Sequence, residues 1–338
     1  MKINIVTMRR DSPSGWYRAG ALTDLLLNRG VNLNYIIPKV PGIPPADKLK
    51  RPSWLVVALL ERISYIQKLR GADATILQRE LISTLPTVER LLPGKIILDV
   101  DDAIFLKKRG WAAINAAKAS IGVVCGNSYL ADYFSTYNKN IRIIPTGVNV
   151  SEMQVNSDRL TGRKRIIGWI GTPSNLQFFE PIISDLKALI KNSGGDLELR
   201  IVTSHTNAIP EELRRCCTFV KWHSGIEFEE LPKWSVGLMP LADTEWAKGK
   251  CSFKMLQYMS AGVPVVVSPV GMNVEVLARG DVGFGPSSGG DWYSAIKCLI
   301  ENDELNTEFG RQARKVAETD FSLESVVEKW MKTFELWL

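Results

Sequence analysis

The chain has 338 residues, of which 45% are hydrophobic and 23% are charged, and its formal net charge is +6. This composition is typical of a folded globular protein and excludes a disordered or fibrous one, and the length suffices for two domains with separate cores. The surplus of cations favours phosphorylated ligands, a polyanion or an anionic membrane surface as partners.

The first part of the chain alternates short apolar strands with helical segments. A buried strand is predicted at 3–6, a polar loop at 9–15 and a helix over 16–28. Further strands are predicted at 33–37, 74–77, 95–98, 121–124 and 141–144. Strand, glycine-containing loop, helix and strand in succession predict a doubly wound α/β domain.

A polar and turn-rich segment, 145–165, predicts a linker, after which the alternation restarts. Strands are predicted at 165–170, 197–202, 219–221, 236–239 and 264–267, with a helix over 176–191 and a helical pattern from Asp291 to the end. We therefore predict two Rossmann-like domains, 1–150 and 151–318. A C-terminal helix over 319–338 is expected to pack back toward the first domain.

The segment Lys248–Glu275 holds the strongest functional signal. Lys248 and Lys250 precede a predicted helix at 253–261 and Lys254 lies in its first turn; Gly262 ends this helix, and an apolar strand then leads into a second helix start at Asn273. Cations at a helix N-terminus suit an anionic ligand, because backbone N–H groups and the helix dipole favour phosphate there.

A second basic segment, Lys48–Arg70, carries six cations against the single carboxylate of Glu61. One interpretation is a core helix with a solvated basic face, which is the commoner role of amphipathic helices. The other is a surface that lies on anionic lipid, with Trp54 and Leu55 dipping into it.

The run from Gly249 to Glu275 resembles the signature of the group 1 (family 4) nucleotide-sugar glycosyltransferases, which have a GT-B fold of two Rossmann-like domains facing a cleft. Three further runs agree with that family in order and spacing, namely IPTGV at 144–148, IGWIGT at 167–172 and LMPL at 238–241. The resemblance implies transfer of a hexose, with retention, from a nucleotide diphosphate sugar to a glycan or lipid-linked acceptor. It further implies bacterial surface polysaccharide synthesis, with neither a metal nor any cofactor beyond the donor substrate.

In this fold the donor lies mainly on the second domain. Lys250 and Lys254 are the candidates to stabilise the departing diphosphate, because its negative charge must be neutralised where no metal does so. The other donor-binding candidates are Gly15, Arg18, Thr172, Asn175, Asp243, Glu245, Ser252, Phe253, Gln257, Gly271, Met272, Asn273 and Glu275.

The chain departs from the family at two positions. Many relatives have two glutamates separated by seven residues, the first touching the donor sugar and the second the ribose. Here Gly249 and Gln257 occupy those places. The amide of Gln257 can still bind hydroxyls, and Asp243 or Glu245 is the candidate to supply the missing carboxylate.

Polar residues follow two strands of the first domain, where α/β sheets place ligand-binding groups. Asp101 or Asp102 would orient an acceptor hydroxyl or accept its proton, and Arg79, Glu80 and Asp102 are the acceptor-binding candidates. The alternative is a buried Asp–Arg network that joins two loops. Arg18 is likewise either a donor contact or a helix-surface residue.

Two other functions remain open on the sequence. The run Asp99–Asp102 resembles the opening motif of haloacid-dehalogenase-like phosphatases, in which Asp99 would be the nucleophile and Asp101 the acid, but no distant paired-aspartate motif accompanies it. The absent glutamates favour a third possibility, a GT-B-shaped module that binds a nucleotide sugar without transferring it.

The sequence also predicts a compartment. Five scattered cysteines and only two histidines form neither a disulfide framework nor a metal pattern, which favours a reducing cytoplasm. No signal peptide or membrane span is expected. The expected location is cytoplasmic or peripheral on the inner face of the cell membrane through Lys48–Arg70, and no nucleic-acid partner is expected.

Overall fold

The structure, a computed structural model, describes residues 1–7, 13–161, 164–287 and 291–338. The chain divides into two compact units. The first unit comprises Met1–Gly147, Lys248–Cys251 and Leu323–Leu338, and the second comprises Val148–Ala247 and Ser252–Ser322. Most of the loop predicted at 9–15 lies outside the described residues.

Each unit contains one six-stranded parallel sheet. The strands of the first unit are β1 (Lys2–Val6), β2 (Asn32–Ile36), β3 (Ala74–Gln78), β4 (Lys95–Val100), β5 (Gly122–Cys125) and β6 (Ile141–Ile143). Those of the second unit are β7 (Arg165–Ile170), β8 (Leu197–Thr203), β9 (Cys217–Lys221), β10 (Val236–Met239), β11 (Val265–Val267) and β12 (Gly283–Phe284). Eleven of these strands lie within a residue or two of the predicted positions, and β12 was missed because its two residues form no apolar run.

Helices connect the strands. In chain order they are α1 (Pro13–Arg18), α2 (Thr23–Asn28), α3 (Arg51–Lys68), α4 (Trp111–Ala119), α5 (Ser128–Ser135), α6 (Ile183–Asn192), α7 (Glu211–Arg214), α8 (Ile226–Glu230), α9 (Glu245–Lys248), α10 (Phe253–Ser260), α11 (Met272–Leu277), α12 (Asp291–Glu301), α13 (Asp303–Val316) and α14 (Leu323–Trp337).

Two predicted helices are broken. The helix expected over 16–28 is interrupted by a 3-10 turn at Gly20–Leu22. A Cβ at Gly20 would lie 2.7 Å from the Trp16 ring, so the chain needs glycine here. The helix expected over 176–191 is a 3-10 segment, Pro173–Ile182, followed by α6. Its Pro181 lacks the N–H that a regular helix would use.

The core of the first unit includes its C-terminal helix. Side chains of β1, β4 and β5 pack with those of α14, including Trp330 and Phe334. The Trp337 ring fills the space where a Cβ on Gly122 would otherwise lie, at 2.5 Å. Burial of such aromatic side chains contributes about 1.5–3 kcal/mol each, so α14 is part of the fold of this unit.

The core of the second unit has large aromatic side chains laid flat on the sheet. Gly168 in β7 and Gly237 in β10 have no side chains, and Trp234 and Tyr258 occupy the vacated space. The Tyr258 hydroxyl accepts a hydrogen bond from the Ile170 N–H at 3.2 Å. These contacts tie α10 to the strands from whose ends the candidate donor residues project.

Candidate active-site residues in each unit

The strand order of the second unit defines where a ligand would bind. The sheet runs β12-β11-β10-β7-β8-β9, so the chain goes one way from β7 to β9 and then returns to the other side of β7 with β10. In open α/β sheets, ligands bind beyond the carboxyl ends of the strands at such a reversal. In this unit that point lies at the ends of β7 and β10.

Lys254 lies at this point. It occupies the first turn of α10, and its side chain crosses Gly171, which directly follows β7. A Cβ built on Gly171 would approach Lys254 Cε to 2.4 Å, so glycine is required for the crossing. Lys254 Nζ lies 5.8 Å from the centre of the Trp169 ring, within the range of a cation–π contact. The structure therefore brings a cation and a helix N-terminus to the switch point.

The start of α10 is fixed by its neighbours. Ser252 adopts left-handed backbone, with φ 49°, and does not cap α10 with its side chain. Its hydroxyl instead donates to Asn273 Oδ1 at 2.7 Å, and Asn273 Nδ2 donates to the Ser268 carbonyl at 2.8 Å. These buried contacts join the loop before α10 to the turn after β11, which contains Gly271 and Met272.

A cavity of about 370 Å³ opens at the ends of β10 and β11. Asp243, Ser268 and Trp292 are among its lining residues. Both residues are exposed, but Asp243 lines this cavity, whereas the other candidate, Glu245, lies at the start of α9. Between the two, the structure favours Asp243 as the carboxylate facing a bound group.

The remaining candidates of the second unit differ in exposure. Thr172 and Asn175 bind each other through Asn175 Nδ2 and Thr172 Oγ1 at 2.8 Å, in the loop after β7. Gln257 is 9% exposed, which leaves little of its amide accessible. Phe253 and Glu275 are half-buried in the first turns of α10 and α11.

The four residues Lys248–Cys251 group with the first unit, and specific contacts hold them. Asn127 Nδ2 donates to the carbonyls of Lys248 and Lys250 at 3.1 and 3.0 Å. The Cys251 thiol donates to the Asp101 carbonyl at 3.1 Å. Asn127 also caps α5 through Oδ1, which accepts from the Leu130 N–H at 2.9 Å. Lys250 therefore belongs to the first unit and Lys254 to the second.

Gly249 has a steric reason to lack a side chain. A Cβ there would lie 2.6 Å from Ala103 Cβ and 2.8 Å from Ala103 N. A glutamate at this position would require the backbone of one of the two segments to move. The departure from the family pattern thus matches the packing of this loop.

Replacing Gly249 by alanine is expected to lower the free energy of unfolding by about 1–3 kcal/mol, because the added methyl group overpacks a contact with backbone. Thermal unfolding of the full chain would measure the change. Gly280→Ala is the matched control, since its Cβ would meet its nearest atom at 3.8 Å and its stability should stay near that of the parent. Equal melting temperatures for both variants would contradict the steric argument.

Arg18 is a buried ion-pair partner. It is 5% exposed, and its Nε donates to both carboxylate oxygens of Asp99 at 3.1 and 2.9 Å. Its remaining nitrogens bind Asp99, the Ile144 carbonyl and Thr146 Oγ1. Burial alone would lower the pKa of Arg18, but the charge and hydrogen bonds of Asp99, together with Cys251 and Asp101, raise this pKa above its usual value. Arg18 is therefore not a helix-surface residue, and its donor contact stays a prediction that the buried ion pair with Asp99 does not favour.

The same ion pair bears on the phosphatase alternative. Asp99 is 2% exposed, and the Arg18 guanidinium occupies its carboxylate. A nucleophilic aspartate must reach its substrate, so this placement argues against that function.

Arg79 links the two aspartates predicted as catalytic. Its guanidinium donates to Asp101 Oδ1 at 3.0 Å and also binds Asp102 Oδ2. These three side chains remain 14–25% exposed, so the network is reachable from solvent. Burial and the charge of Asp101 raise the pKa of Asp102, against the lowering effect of Arg79 and Lys250. The predicted Asp–Arg network is present, and its partial exposure is compatible with an acceptor contact as well.

Buried oxygen atoms without partners lie nearby at the end of β3. Among the described residues, Gln78 Oε1 and Glu80 Oε2 have no hydrogen-bond partner. Both residues, with Arg79, line a small pocket whose volume is about 20 Å³. Burial raises the pKa of Glu80. The pocket lies where the order β2-β1-β3-β4-β5-β6 reverses between β1 and β3. Gln78 was not predicted, although its position at a strand end next to Arg79 was a usable signal.

The basic helix α3 contains one cation, Arg62, that does not lie where the sequence analysis expected it. Arg62 is fully buried, donates to the Val40 and Leu81 carbonyls and pairs with Glu61. It is therefore not part of a solvated basic face. The outer side of α3 carries several large exposed apolar side chains instead, Val56, Val57, Leu60 and Ile63.

Neither a metal-binding cluster nor a membrane-spanning helix occurs within the described ranges. No group of three or more His, Cys, Asp or Glu residues there has the arrangement of a metal site. No described helix combines the length and the apolarity needed to cross a bilayer.

Comparisons with known proteins agree with this architecture. The family model described as "Glycosyl transferases group 1" matches residues 164–302. No curated protein sequence is similar enough to count as a relative. Among solved structures, the sucrose-phosphate synthase of Thermosynechococcus elongatus superposes with a TM-score of 0.73 at 13% identity, covering 99% of this chain and 98% of its own.

Two further structures are similar over almost their whole length. HepE of Anabaena, in complex with UDP and glucose, has a TM-score of 0.72 at 12% identity, with 99% of each chain covered. WaaG, a glycosyltransferase involved in lipopolysaccharide biosynthesis, has a TM-score of 0.69 at 14% identity, with 98% of this chain and 99% of its own covered. At these identities the similarity shows the fold.

The two parallel sheets and the structural neighbours define a protein of the GT-B class, which confirms the predicted α/β architecture. The second unit carries the match to the group 1 glycosyltransferase model, the family that the signature at Gly249–Glu275 resembles.

Proposed function

We propose that the protein transfers a hexose, with retention, from a nucleotide diphosphate sugar to a glycan or lipid-linked acceptor in surface polysaccharide synthesis. One observation carries the proposal, namely the position of Lys254 at the N-terminus of α10, across Gly171 at the β7/β10 switch point. A departing nucleoside diphosphate gains negative charge, and a fixed cation with helix N–H groups stabilises such charge.

Two proteins of similar structure support the choice of a nucleotide-sugar donor and of a surface polysaccharide pathway. HepE binds UDP and glucose in its solved structure, and WaaG takes part in lipopolysaccharide biosynthesis. A UDP-sugar is therefore the first donor to test. Within the second unit, Asp243 would face the sugar, and Gln257, Glu275 and the Gly271 turn would contact the nucleoside.

The first unit would supply the acceptor side. Asp102 has its pKa raised by burial and by Asp101, which makes its carboxylate a better proton acceptor. Arg79 holds Asp101 and Asp102 in place and would contact an anionic acceptor.

The test is a panel of UDP-, GDP-, dTDP- and ADP-sugars, each mixed with the protein and lipid or glycan acceptors, with nucleotide release as the readout. Release with one donor, unchanged by EDTA and yielding an anomer of the donor's configuration, is the expected result. Tight donor binding without release in the presence of any acceptor would favour the non-catalytic module. Release that EDTA abolishes would contradict metal independence.

We further propose that α3 contacts the inner face of the membrane. The exposed fractions of Val56, Val57, Leu60 and Ile63 are 50–63%, and cations flank them along the helix. Apolar side chains of this exposure on a basic helix favour insertion among anionic headgroups.

The double variant Val56→Ser/Leu60→Ser is expected to sediment several-fold less with anionic vesicles, because it removes apolar area and no charge. Leu27→Ser/Leu91→Ser is the matched control, since both side chains are exposed but lie outside α3. Equal sedimentation of the α3 variant and the parent would remove α3 from the membrane contact.

A further inference from the structure

We propose that a cavity on the first unit binds an amphiphilic acceptor, with its apolar chain inside and its phosphate at the rim. This inference rests on the proposed transferase function, for which it specifies the substrate class. The cavity has a volume of about 820 Å³ and is formed by the first turns of α3, the loop after β3 and the turn after β4. That volume lies within the range typical of small-molecule sites.

The wall of the cavity is apolar and aromatic. Trp54, Leu55, Leu85 and Trp111 line it, with prolines between them. Trp54 Nε1 donates to the Pro41 carbonyl at 2.9 Å, which leaves the ring face for packing. Trp111 is 57% exposed and Leu85 is 38% exposed, so part of their apolar surface is left uncovered by the described part of the chain. Exposed aromatic surface that lines a concavity is typical of a ligand site.

The rim of the cavity is cationic. Arg51, Lys108 and Arg109 line it, and none of its described lining residues is a carboxylate. Arg51 Nε donates to the Pro45 carbonyl at 3.1 Å, which orients its guanidinium. Lys108 and Arg109 are exposed, and their side chains form no ion pair within the described ranges. Cations beside an apolar space, with no acid to neutralise them, suit a phosphate attached to an apolar chain.

The backbone at the rim adopts an unusual conformation. Lys108, Arg109 and Gly110 have φ values of 48°, 57° and 71°, so three successive residues are left-handed. Such backbone is unfavourable for lysine and arginine, and strain of this kind concentrates at binding sites. A Cβ on Gly110 would approach the Tyr133 hydroxyl to 2.7 Å, so packing maintains the turn. The turn places two adjacent cations at the cavity.

The location of the cavity fits an acceptor. The loop after β3 and the turn after β4 begin at the strand ends that carry Arg79, Asp101 and Asp102. A chain held in the cavity would therefore keep its headgroup at the same edge of the sheet as these residues. The exposed apolar residues of α3 at 56, 57, 60 and 63 do not line the cavity, which separates this site from the proposed membrane contact.

Calorimetric titration of the full chain with decyl phosphate, kept below its micelle-forming concentration, tests the proposal. We expect saturable binding of one molecule, and binding of decyl glucoside and of inorganic phosphate at least tenfold weaker. Lys108→Asn/Arg109→Asn should weaken decyl phosphate binding at least tenfold, and asparagine is chosen because it tolerates left-handed backbone. Lys139→Gln/Arg142→Gln removes two exposed cations elsewhere on the first unit and should bind as the parent does.

The outcomes separate this site from the transferase itself. Absence of saturable binding, or equal weakening in both double variants, would overturn the cavity proposal even if nucleotide release to a soluble glycan persists. Saturable decyl phosphate binding lost only in the rim variant would support the cavity even if no donor is turned over, in which case the transferase proposal alone fails. Binding only to anionic vesicles, with none to monomeric decyl phosphate, would also overturn it.

Discussion

Replacing Lys254 by alanine is expected to lower donor turnover about 30-fold or more. The loss corresponds to about 2 kcal/mol of transition-state stabilisation, the scale of a charged contact to a developing anion. The cation lies at the β7/β10 switch point, where its alkyl chain crosses Gly171. Nucleotide release at saturating acceptor, measured over a range of donor concentrations, gives kcat and KM separately.

The kcat for donor turnover should fall more than the donor affinity, since the diphosphate gains charge only as the sugar leaves. Lys221→Ala removes an exposed lysine of the same unit and is the matched control. Because Lys254 also lies over the Trp169 ring, the melting temperature of both variants must be compared. Unchanged turnover in a folded Lys254→Ala protein would exclude Lys254 from the diphosphate site.

The sheets could be predicted from the sequence because parallel strands that are buried on both faces consist of short runs of apolar residues. Such runs, bounded by loops, identify β3, β4 and β5 almost to the residue. The helix interruptions at Gly20 and Pro181 were not predicted, since they depend on a ring packed against glycine and on a proline tolerated within a 3-10 segment.

The candidate residues were harder to assign, because their roles depend on distant partners. Arg18 follows the first strand in a place that suits a ligand contact, yet Asp99, 81 residues away, binds it in the interior. The sequence identifies Gly249 as a departure from the family pattern. The reason for the departure, the close contact with Ala103, is apparent only in the structure. Strand ends and residue types thus indicate where a site lies, and burial decides which of its side chains are accessible.

The cationic rim of the cavity could not be recognised as a binding site from the sequence. Two of its cations, Lys108 and Arg109, are adjacent in the sequence, a pattern that equally describes a solvated loop. Their left-handed backbone and the aromatic wall contributed by α3 and α4 are visible only in three dimensions. The candidate ligand-binding residues of this chain therefore lie where loops from separate strands meet.

Replacing Arg18 by methionine is expected to lower the free energy of unfolding by about 3–5 kcal/mol, because it leaves the Asp99 carboxylate buried without a counter-charge. The side chains of the pair are 3% and 1% exposed, so water cannot solvate the remaining carboxylate. Urea unfolding at constant pH and 25 °C measures the loss through the midpoint of the transition.

Two further variants serve as controls for the Arg18→Met measurement. Arg18→Met/Asp99→Leu should recover much of the lost stability, since an apolar pair of similar volume often replaces a buried ion pair at little cost. Arg29→Met breaks an ion pair with Glu328 in the same unit whose side chains are 53% and 47% exposed, and it should cost about 0–1 kcal/mol. Suppose that Arg18→Met were as stable as Arg29→Met but released less nucleotide. Arg18 would then be a donor contact, and the buried ion pair would not stabilise the contact between the ends of β4 and α1.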